Sequence, residues 1–201
     1  MKLLINKNKK TELNQTSFGG LPVQNIDEEF QWPSCKSCKL PMQHLGRIEL
    51  NGDLLQLFMC QNNPGMCDDW DSNAGGNAVI VTTPKHLQVV SEPNDGVTNR
   101  ETEYSAEIVE VEEEDYDEAR SNWAEKNTVS PREVLGQIGG NPAWLQNDET
   151  PNCEQCGKPM SFVAQLETGP DWKTEMNFGG GGVGYLFNCD CKGSAKFLWQ
   201  C

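Results

Sequence analysis

The chain carries two copies of one ordered set of motifs, and this repeat constrains its fold more than any other feature. Each copy has a Gly-Gly-x-Pro turn, then a Cys-x-x-Cys pair, a Pro-Met dipeptide, an apolar-Glu dipeptide and an apolar segment that ends in cysteine. The turns begin at Gly19 and Gly139, and the Cys-x-x-Cys pairs at Cys35 and Cys153, 118 residues apart. A shared order at matched spacing indicates an internal duplication.

The cysteine content predicts cross-links, and the rest of the sequence favours metal over disulfides. Hydrophobic residues make up 36% of the chain, and such a lean core benefits from cross-links. The N-terminal stretch has only Leu3, Leu4 and Ile5 as an apolar cluster, too short for a signal peptide, and no later segment approaches membrane-spanning length. We therefore expect a cytoplasmic protein that binds no membrane. In the cytoplasm thiols stay reduced, and paired Cys-x-x-Cys motifs favour zinc.

Each copy supplies four cysteines, enough for one tetrahedral zinc ion. The second copy has the form of a zinc knuckle because Gly157, after Cys156, is free to adopt a positive φ; Lys39 occupies this place in the first copy. The predicted ligand sets are Cys35, Cys38, Cys60 and Cys67 in the first copy, and Cys153, Cys156, Cys189 and Cys191 in the second. Cys201 is left over and is an alternative ligand to Cys191. Reduced core cysteines are the competing interpretation.

Four thiolates leave no open coordination position, so the sequence predicts two structural Zn²⁺ sites rather than catalytic ones. The two histidines, His44 and His86, lie in no metal-ligand motif. The glycine-rich run Gly179–Gly184 leads into a strand and lacks the Lys-Ser/Thr of a phosphate-binding loop. The alternative to a non-catalytic protein is an enzyme or small-ligand-binding protein that uses this turn with Asp171, Glu175 or Asn177.

The charge of the chain indicates what kind of partner it could bind. The net charge is -14, and ten of the thirty acidic residues lie between Glu101 and Glu118 with no basic residue among them. Such a field disfavours nucleic acid and favours a basic protein partner, although it could equally be a solvated, solubilising face. The candidate binding residues are Glu112, Glu113, Glu114, Asp115, Trp144 and Trp172.

The predicted fold class is mainly β (α+β), with two duplicated β-rich halves, zinc-ribbon-like knuckles and one or two short central helices. The predicted segments are a polar N-terminal arm or edge strand (1–17), a first β-rich zinc module (18–100), an acidic strand and helix connector (101–133) and a second β-rich zinc module (134–201).

Several local patterns support this fold class. Asn51-Gly52 between two apolar runs predicts a β-hairpin. Apolar residues at helical spacing predict a short helix from Asp115 to Lys126. Ser130-Pro131-Arg132-Glu133 has the form of a capping box and predicts a second helix that ends at Gly139-Gly140.

The second copy resembles a known family. The motifs Gly139-Gly-Asn-Pro-Ala-Trp144, Cys153-x-x-Cys156-Gly-x-Pro-Met160 and Met176-Asn-Phe-Gly-Gly-Gly-Gly182 look like those of bacterial YwqG-like proteins, a domain-of-unknown-function family. The first two are also similar to motifs of the eukaryotic programmed-cell-death-protein-2 family, which is implicated in escorting a newly made ribosomal protein. The resemblance covers residues 134–201 well and 18–90 loosely. It implies a β-rich fold of two related halves and, for the eukaryotic relatives, protein binding without catalysis.

Overall fold

The computed structural model describes residues 1–10, 12–100, 102–191 and 194–201. The fold is mainly β and divides into two compact units. The split unit consists of Met1–Lys7 and Ala106–Cys201, and the continuous unit is Asn8–Ser105. Glu101, the first residue of the acidic run, lies outside the described residues. No helix in the described ranges has the length and apolar character that a membrane crossing requires.

The strands are numbered in chain order. They are β1 (Lys2–Asn6), β2 (Ser17–Phe18), β3 (Val23–Asn25), β4 (Gln43–Leu50), β5 (Asp53–Met59), β6 (Asn77–Thr82), β7 (Leu87–Val89), β8 (Tyr104–Glu110), β9 (Val134–Ile138), β10 (Ser161–Leu166), β11 (Val183–Asn188) and β12 (Ala195–Gln200). The α-helix in the described chain, α1, spans Tyr116–Asn127, and a 3₁₀-helix spans Pro131–Glu133.

The continuous unit is built on the antiparallel strands β2, β4, β5 and β6, with the first residues of β8 pairing β2 at one side. Strands β4 and β5 form the predicted hairpin. Asn51 and Gly52 both have positive φ, at 52° and 89°, and this is why the Asn-Gly pair can make so tight a turn. Strands β3 and β7 form a separate two-stranded sheet.

In the split unit the antiparallel strand order is β12, β11, β10, β9, β1 and β8. Strand β1 pairs with β8 on one side and β9 on the other, rather than forming a loose arm or an edge strand. Leu3 and Leu4 are fully buried, so apolar burial holds this segment between β8 and β9.

Helix α1 confirms the first helix prediction. The Asp115 side chain caps it by accepting a hydrogen bond from the Glu118 N–H (2.9 Å), and Thr128 ends it in the left-handed conformation. The helix is anchored to the strands because the Tyr116 hydroxyl donates to Glu167 (2.9 Å) and Arg120 forms an ion pair with the same carboxylate (3.2 Å).

The prediction of a second helix up to Gly139 is wrong. Ser130 does cap a helical turn, with its hydroxyl accepting from the Arg132 N–H (3.2 Å), but this turn ends at Glu133. The next residues form β9, which pairs with β1 and β10. Gly136 has a φ of +142°, and a Cβ there would lie 2.0 Å from the Gln165 carbonyl oxygen. Long-range pairing therefore outweighs the local helix signal.

The duplication extends to strand register. Ser17 is opposite Arg47 between β2 and β4, and Gln137 is opposite Gln165 between β9 and β10. Both β4 and β10 also carry an irregularity at the same place, between His44 and Gly46 in the first copy and between Phe162 and Ala164 in the second. The two halves are thus duplicates in strand pairing as well as in sequence.

Candidate functional site

The Cys35 cluster brings together four cysteines of the continuous unit. Cys35 and Cys38 lie in a tight turn before β4, which is closed by a hydrogen bond from the Lys39 N–H to the Cys35 carbonyl (2.9 Å). Cys60 directly follows β5, and Cys67 lies in the loop that joins β5 to β6. Three of the four sulfurs therefore belong to residues that flank the β4–β5 hairpin, two before β4 and one after β5.

The Cys153 cluster is built in the same way in the split unit. The Gly157 N–H donates to the Cys153 carbonyl (2.8 Å), which closes the turn that carries Cys156. Cys189 follows β11, and Cys191 lies in the loop that joins β11 to β12.

The turn after each Cys-x-x-Cys pair requires a left-handed residue. Gly157 has a φ of +71° and Lys39 a φ of +67°. Glycine adopts this conformation at little cost, whereas a residue with a Cβ is strained there. The N-terminal copy therefore makes the same turn with the less favourable residue.

The sulfur positions suit metal ligands better than disulfides. In each cluster all four sulfurs lie within 4.8 Å of one another, and all eight cysteines are free. The Cys38–Cys60 Sγ atoms are 3.6 Å apart and the Cys153–Cys191 Sγ atoms 3.2 Å. Disulfide sulfurs are about 2.05 Å apart. Sulfurs around one tetrahedral zinc ion, with Zn–S bonds of about 2.3 Å, are about 3.8 Å apart. Each cluster could therefore hold one metal ion.

Burial differs between the clusters. In the Cys35 cluster, Cys60 is fully buried and Cys67 is 2% exposed, beneath Trp32 and Phe58. In the Cys153 cluster, Cys156 is exposed and Cys191 is half-buried. Water and solutes can thus reach the second cluster more readily than the first.

One thiol in each cluster ionises more readily than a free cysteine. The pKa of Cys153 is lowered to about 6, chiefly because the backbone N–H of Cys156 hydrogen-bonds to its sulfur. Burial opposes ionisation of Cys35, but the backbone N–H of Cys38 helps to lower its pKa. Burial raises the pKa of Cys67. A divalent cation favours the thiolate form of every ligand, because the thiolate is the form that binds metal.

The remaining cysteine and the histidines lie apart from the clusters. Cys201 is exposed at the end of β12, next to Gly179, so Cys191 rather than Cys201 completes the second group of four. His44 is fully buried: its Nδ1 lies 3.0 Å from the Gly20 carbonyl oxygen, and burial lowers its pKa to about 3. His86 is exposed on the loop before β7.

The two candidate tryptophans have different environments. Trp144 is half-buried and packs on Tyr185 and Phe187, with ring centroids 4.5 Å and 5.9 Å away. It belongs to the core around the Cys153 cluster. Trp172 is 72% exposed, and Lys173 Nζ lies 5.4 Å from its ring centroid.

An acidic groove of about 630 Å³ lies between the end of β8 and α1 in the split unit. It is lined by Glu110, Val111, Glu112, Glu113, Glu118, Ala119, Asn122, Trp123 and Lys126. Of the four predicted acidic binding residues, Glu112 and Glu113 line this groove. Glu114 lies outside it, and Asp115 is the cap of α1. Within the described residues, neither Glu112 nor Glu118 takes part in an ion pair.

A second groove, of about 420 Å³, adjoins the acidic groove and shares two lining residues with it. This Gly-Gly groove is lined by Met1, Lys2, Glu110, Val111, Ile138, Gly139 and Gly140. The sequence singled out Gly139-Gly140 only as a turn. The groove residues Trp123 and Glu118 were visible in the sequence only as part of an amphipathic helix, because the groove forms only when α1 packs beside β8.

The glycine-rich turn packs on β12 and Cys201 at Gly179 and Gly182, whereas Gly180 and Gly181 are exposed and a Cβ at either would meet no heavy atom within 4 Å. A Cβ at Gly179 would lie 2.8 Å from the Cys201 sulfur, and one at Gly182 would lie 2.3 Å from the Gln200 carbonyl oxygen. Nearby, Asp171 accepts a hydrogen bond from the Lys173 N–H (2.8 Å), and Glu175 lies 3.7 Å from a guanidinium nitrogen of Arg132. Gly179, Gly182 and these two carboxylates thus have structural contacts.

Comparison with known proteins yields one short similarity. No protein-family profile matches the chain. A segment of 33 residues, 16% of this chain, is 46% identical to the uncharacterized protein YpfL of Salmonella typhimurium. The match spans 8% of the length of YpfL. An uncharacterized protein offers no activity or partner to transfer, so function has to be argued from the clusters and the grooves.

Proposed function

We propose that this protein is a non-catalytic, zinc-stabilised interaction protein of the cytoplasm whose acidic surface binds a basic polypeptide. The observation that carries the metal part is the pair of four-cysteine clusters, each with all its sulfurs within 4.8 Å of one another. Zinc sites with four thiolate ligands are coordinatively closed and serve as structural cross-links. Each cluster joins the turn before a β-hairpin to the loop after it, so a bound ion would fix the ends of the hairpin.

Elemental analysis tests the metal part. Protein purified under reducing conditions should contain two zinc ions per chain, and chelation should lower its unfolding temperature because metal binding contributes to folding. A Cys35→Ser variant and a Cys153→Ser variant should each retain one ion. Metal-free protein with an undiminished unfolding temperature would rule out structural zinc.

The binding part rests on charge. The chain has a net charge of -14, and the acidic groove presents Glu112 and Glu118 without ion-pair partners among the described residues. Such a field attracts basic polypeptides and repels nucleic acid. The partner would be a client such as a nascent ribosomal protein, or a basic toxin that this chain neutralises. Membership of the YwqG-like family, with its similarity to the programmed-cell-death-protein-2 family, is part of this proposal.

Co-purification from lysate tests the binding part. A tagged full-length chain should recover a basic protein at low salt and release it as the salt concentration rises, because exposed charge pairs are screened by salt. Recovery of acidic proteins only, or of nucleic acid, would contradict the proposal.

A further inference from the structure

The Gly-Gly turns of the two copies have the same backbone conformation. Gly19 and Gly20 have φ values of +70° and +67°, and Gly139 and Gly140 have φ values of +69° and +73°. The first turn follows β2, which pairs with β4, and the second follows β9, which pairs with β10. Strands β4 and β10 are the first strands of the two hairpins that carry the cysteines. Any difference in what covers the two turns is therefore a difference in their neighbours and not in the turns themselves.

In the continuous unit, the chain itself covers the turn. The Gly20 N–H donates to the Arg100 carbonyl (3.0 Å). The Thr102 carbonyl packs so closely on Gly19 that a Cβ there would lie 1.9 Å from its oxygen. The Glu103 side chain lies against Gly20, 3.0 Å from where a Cβ would be. Arg100, Thr102 and Glu103, which precede β8, thus occupy the space over the first turn.

In the split unit, the corresponding space is the Gly-Gly groove. A Cβ at Gly139 would meet no heavy atom within 4 Å, in contrast to Gly19. Met1 lies 3.1 Å from where a Cβ of Gly140 would be, as Glu103 does at Gly20. Among the described residues, however, no backbone carbonyl accepts a hydrogen bond from the Gly140 N–H. The second turn thus offers a backbone donor and open space, whereas Arg100, Thr102 and Glu103 lie over the first turn.

The charge beside the groove indicates the chemistry of an occupant. The Gly-Gly groove continues into the acidic groove through Glu110 and Val111. Glu110 is partly neutralised by Lys2, 3.6 Å away, whereas Glu112 and Glu118 have no ion-pair partner in the described ranges. The half-buried Trp123 lies in the same groove, and an aromatic ring face attracts a Lys or Arg side chain.

We propose that the Gly-Gly groove and the acidic groove together bind one extended, basic segment of a partner polypeptide. A carbonyl of the segment accepts a hydrogen bond from the Gly140 N–H, as the Arg100 carbonyl does from Gly20. A Lys or Arg side chain of the segment lies on Trp123, between Glu112 and Glu118. This inference rests on the proposed function and gives the partner a binding site.

Amide NMR of the full-length protein tests the site directly. Before any peptide is added, the Gly140 amide should exchange with solvent much faster than the Gly20 amide, which is already hydrogen-bonded. The probe is an eight-residue peptide of alternating lysine and valine, titrated to millimolar concentration. The Gly139 and Gly140 amides and the Trp123 indole should shift, while the Gly20 amide should stay in place. The mirror-image peptide of D-residues and an alternating Glu-Val peptide should produce much smaller shifts.

Paired variants separate the groove from general acidity. Glu112→Gln with Glu118→Gln should weaken peptide binding about three- to tenfold, because two exposed charge pairs are lost. Glu114→Gln with Glu125→Gln removes the same charge outside the groove and should change binding less than about twofold. Gly139→Asn fills the groove with a residue that tolerates positive φ and should weaken binding, whereas Gly52→Asn, in an equally open positive-φ turn, should not.

The outcomes distinguish the inference from the proposed function. Binding of the lysine peptide with shifts confined to other residues, or equal loss in the two double variants, would overturn the binding site but leave the basic partner. Absence of binding by any basic peptide would overturn both. A concentration-dependent dimer in which the Gly140 amide is protected without peptide would assign the groove to a second copy of the chain and overturn the inference.

Discussion

The two cysteine clusters have the same turn, the same number of sulfurs and the same placement on a hairpin, but they differ in what surrounds them. Aromatic rings pack on both clusters, Trp32 and Phe58 on the first and Trp144 and Phe187 on the second, but the Cys35 cluster buries every cysteine except the half-buried Cys38. The Cys153 cluster leaves Cys156 exposed and Cys191 half-buried. The two copies thus share the geometry of the cysteine ligands but differ in how far solvent can reach them. Ligand geometry and solvent access are separate properties of such a site, and each can be tested alone.

The loops that carry the fourth cysteine account for part of this difference. Residues 60–76 join β5 to β6 in the first copy, whereas residues 189–194 join β11 to β12 in the second. The longer loop is held in place because the Asn77 side chain, at the start of β6, donates to the Asp69 carbonyl (2.9 Å), and a Cβ at Gly76 would lie 2.3 Å from the Cys67 carbonyl oxygen. This packing buries Cys67, and the shorter loop has less chain with which to cover Cys191.

The largest expected difference is in the cost of losing a ligand. Cys60→Ser should destabilise the continuous unit by about 3 kcal/mol or more, because it breaks the ligand set and leaves a hydroxyl in a fully buried position. Cys156→Ser should cost about 1–2 kcal/mol less in the split unit, because water can solvate the hydroxyl. Urea unfolding, with zinc content measured in parallel, compares the two. Equal costs would show that burial does not distinguish the clusters.

The second difference concerns acid sensitivity. His44 in the first copy corresponds to Phe162 in the second, and burial lowers the His44 pKa to about 3, below the usual 6.5. The unfolded chain then binds the proton more readily, so stability is present above about pH 6.5 and is lost as pH falls toward 3. His44→Phe should abolish about 2 kcal/mol of the stability loss between pH 7 and pH 5.

Urea-unfolding midpoints of the wild type and His44→Phe, compared across that pH range, measure the effect. The comparison is of slopes, because loss of the contact between His44 Nδ1 and the Gly20 carbonyl lowers the stability of the variant at every pH. Parallel slopes would show that His44 does not carry the acid sensitivity.

The third difference is in the rate of metal release. With zinc bound at both clusters, as proposed, the ion of the Cys153 cluster should be lost to a competing chelator at least about tenfold faster than that of the Cys35 cluster, because release from a buried site requires local opening. A two-phase release curve is expected. In Cys153→Ser the fast phase should disappear, and in Cys35→Ser the slow phase should disappear. A reversed assignment would mean that exposure does not control release.

The smallest effect concerns the residue that closes each turn. Lys39→Gly should stabilise the continuous unit by about 0.5–1 kcal/mol, because the strain of a Cβ at a φ of +67° exceeds the added entropy of the unfolded chain. Gly157→Lys should destabilise the split unit by a similar amount. Thermal unfolding of both variants measures the two changes in stability. Changes of the same sign in both variants would contradict the strain argument.

The sequence predicted the features that depend on short segments. The Asn51-Gly52 turn encodes its own hairpin, and the cap at Asp115 together with the apolar spacing after it encodes α1. The two cysteine groups were predictable because a Cys-x-x-Cys turn and the end of a hairpin strand are positioned by local geometry. Repetition in the second copy added evidence to each assignment.

Features that depend on distant partners were not predictable from local patterns. The capping box at Ser130 does form a helical turn, but pairing of β9 with β1 and β10 decides the conformation of the residues after Glu133. The polar N-terminal segment gave no sign that Leu3 and Leu4 would be paired on both sides. The Gly-Gly groove could not be predicted either, because the two turns have the same backbone conformation and differ only in which residues lie over them.

The place of β1 has a consequence for synthesis. Residues 2–6 leave the ribosome before their pairing partners β8 and β9, which begin at Tyr104 and Val134. At about 5–20 residues per second, Leu3 and Leu4 wait several seconds or more without partners, while the continuous unit can fold as soon as it is complete. Translation therefore leaves an apolar strand without its pairing partners until the rest of the split unit has been made.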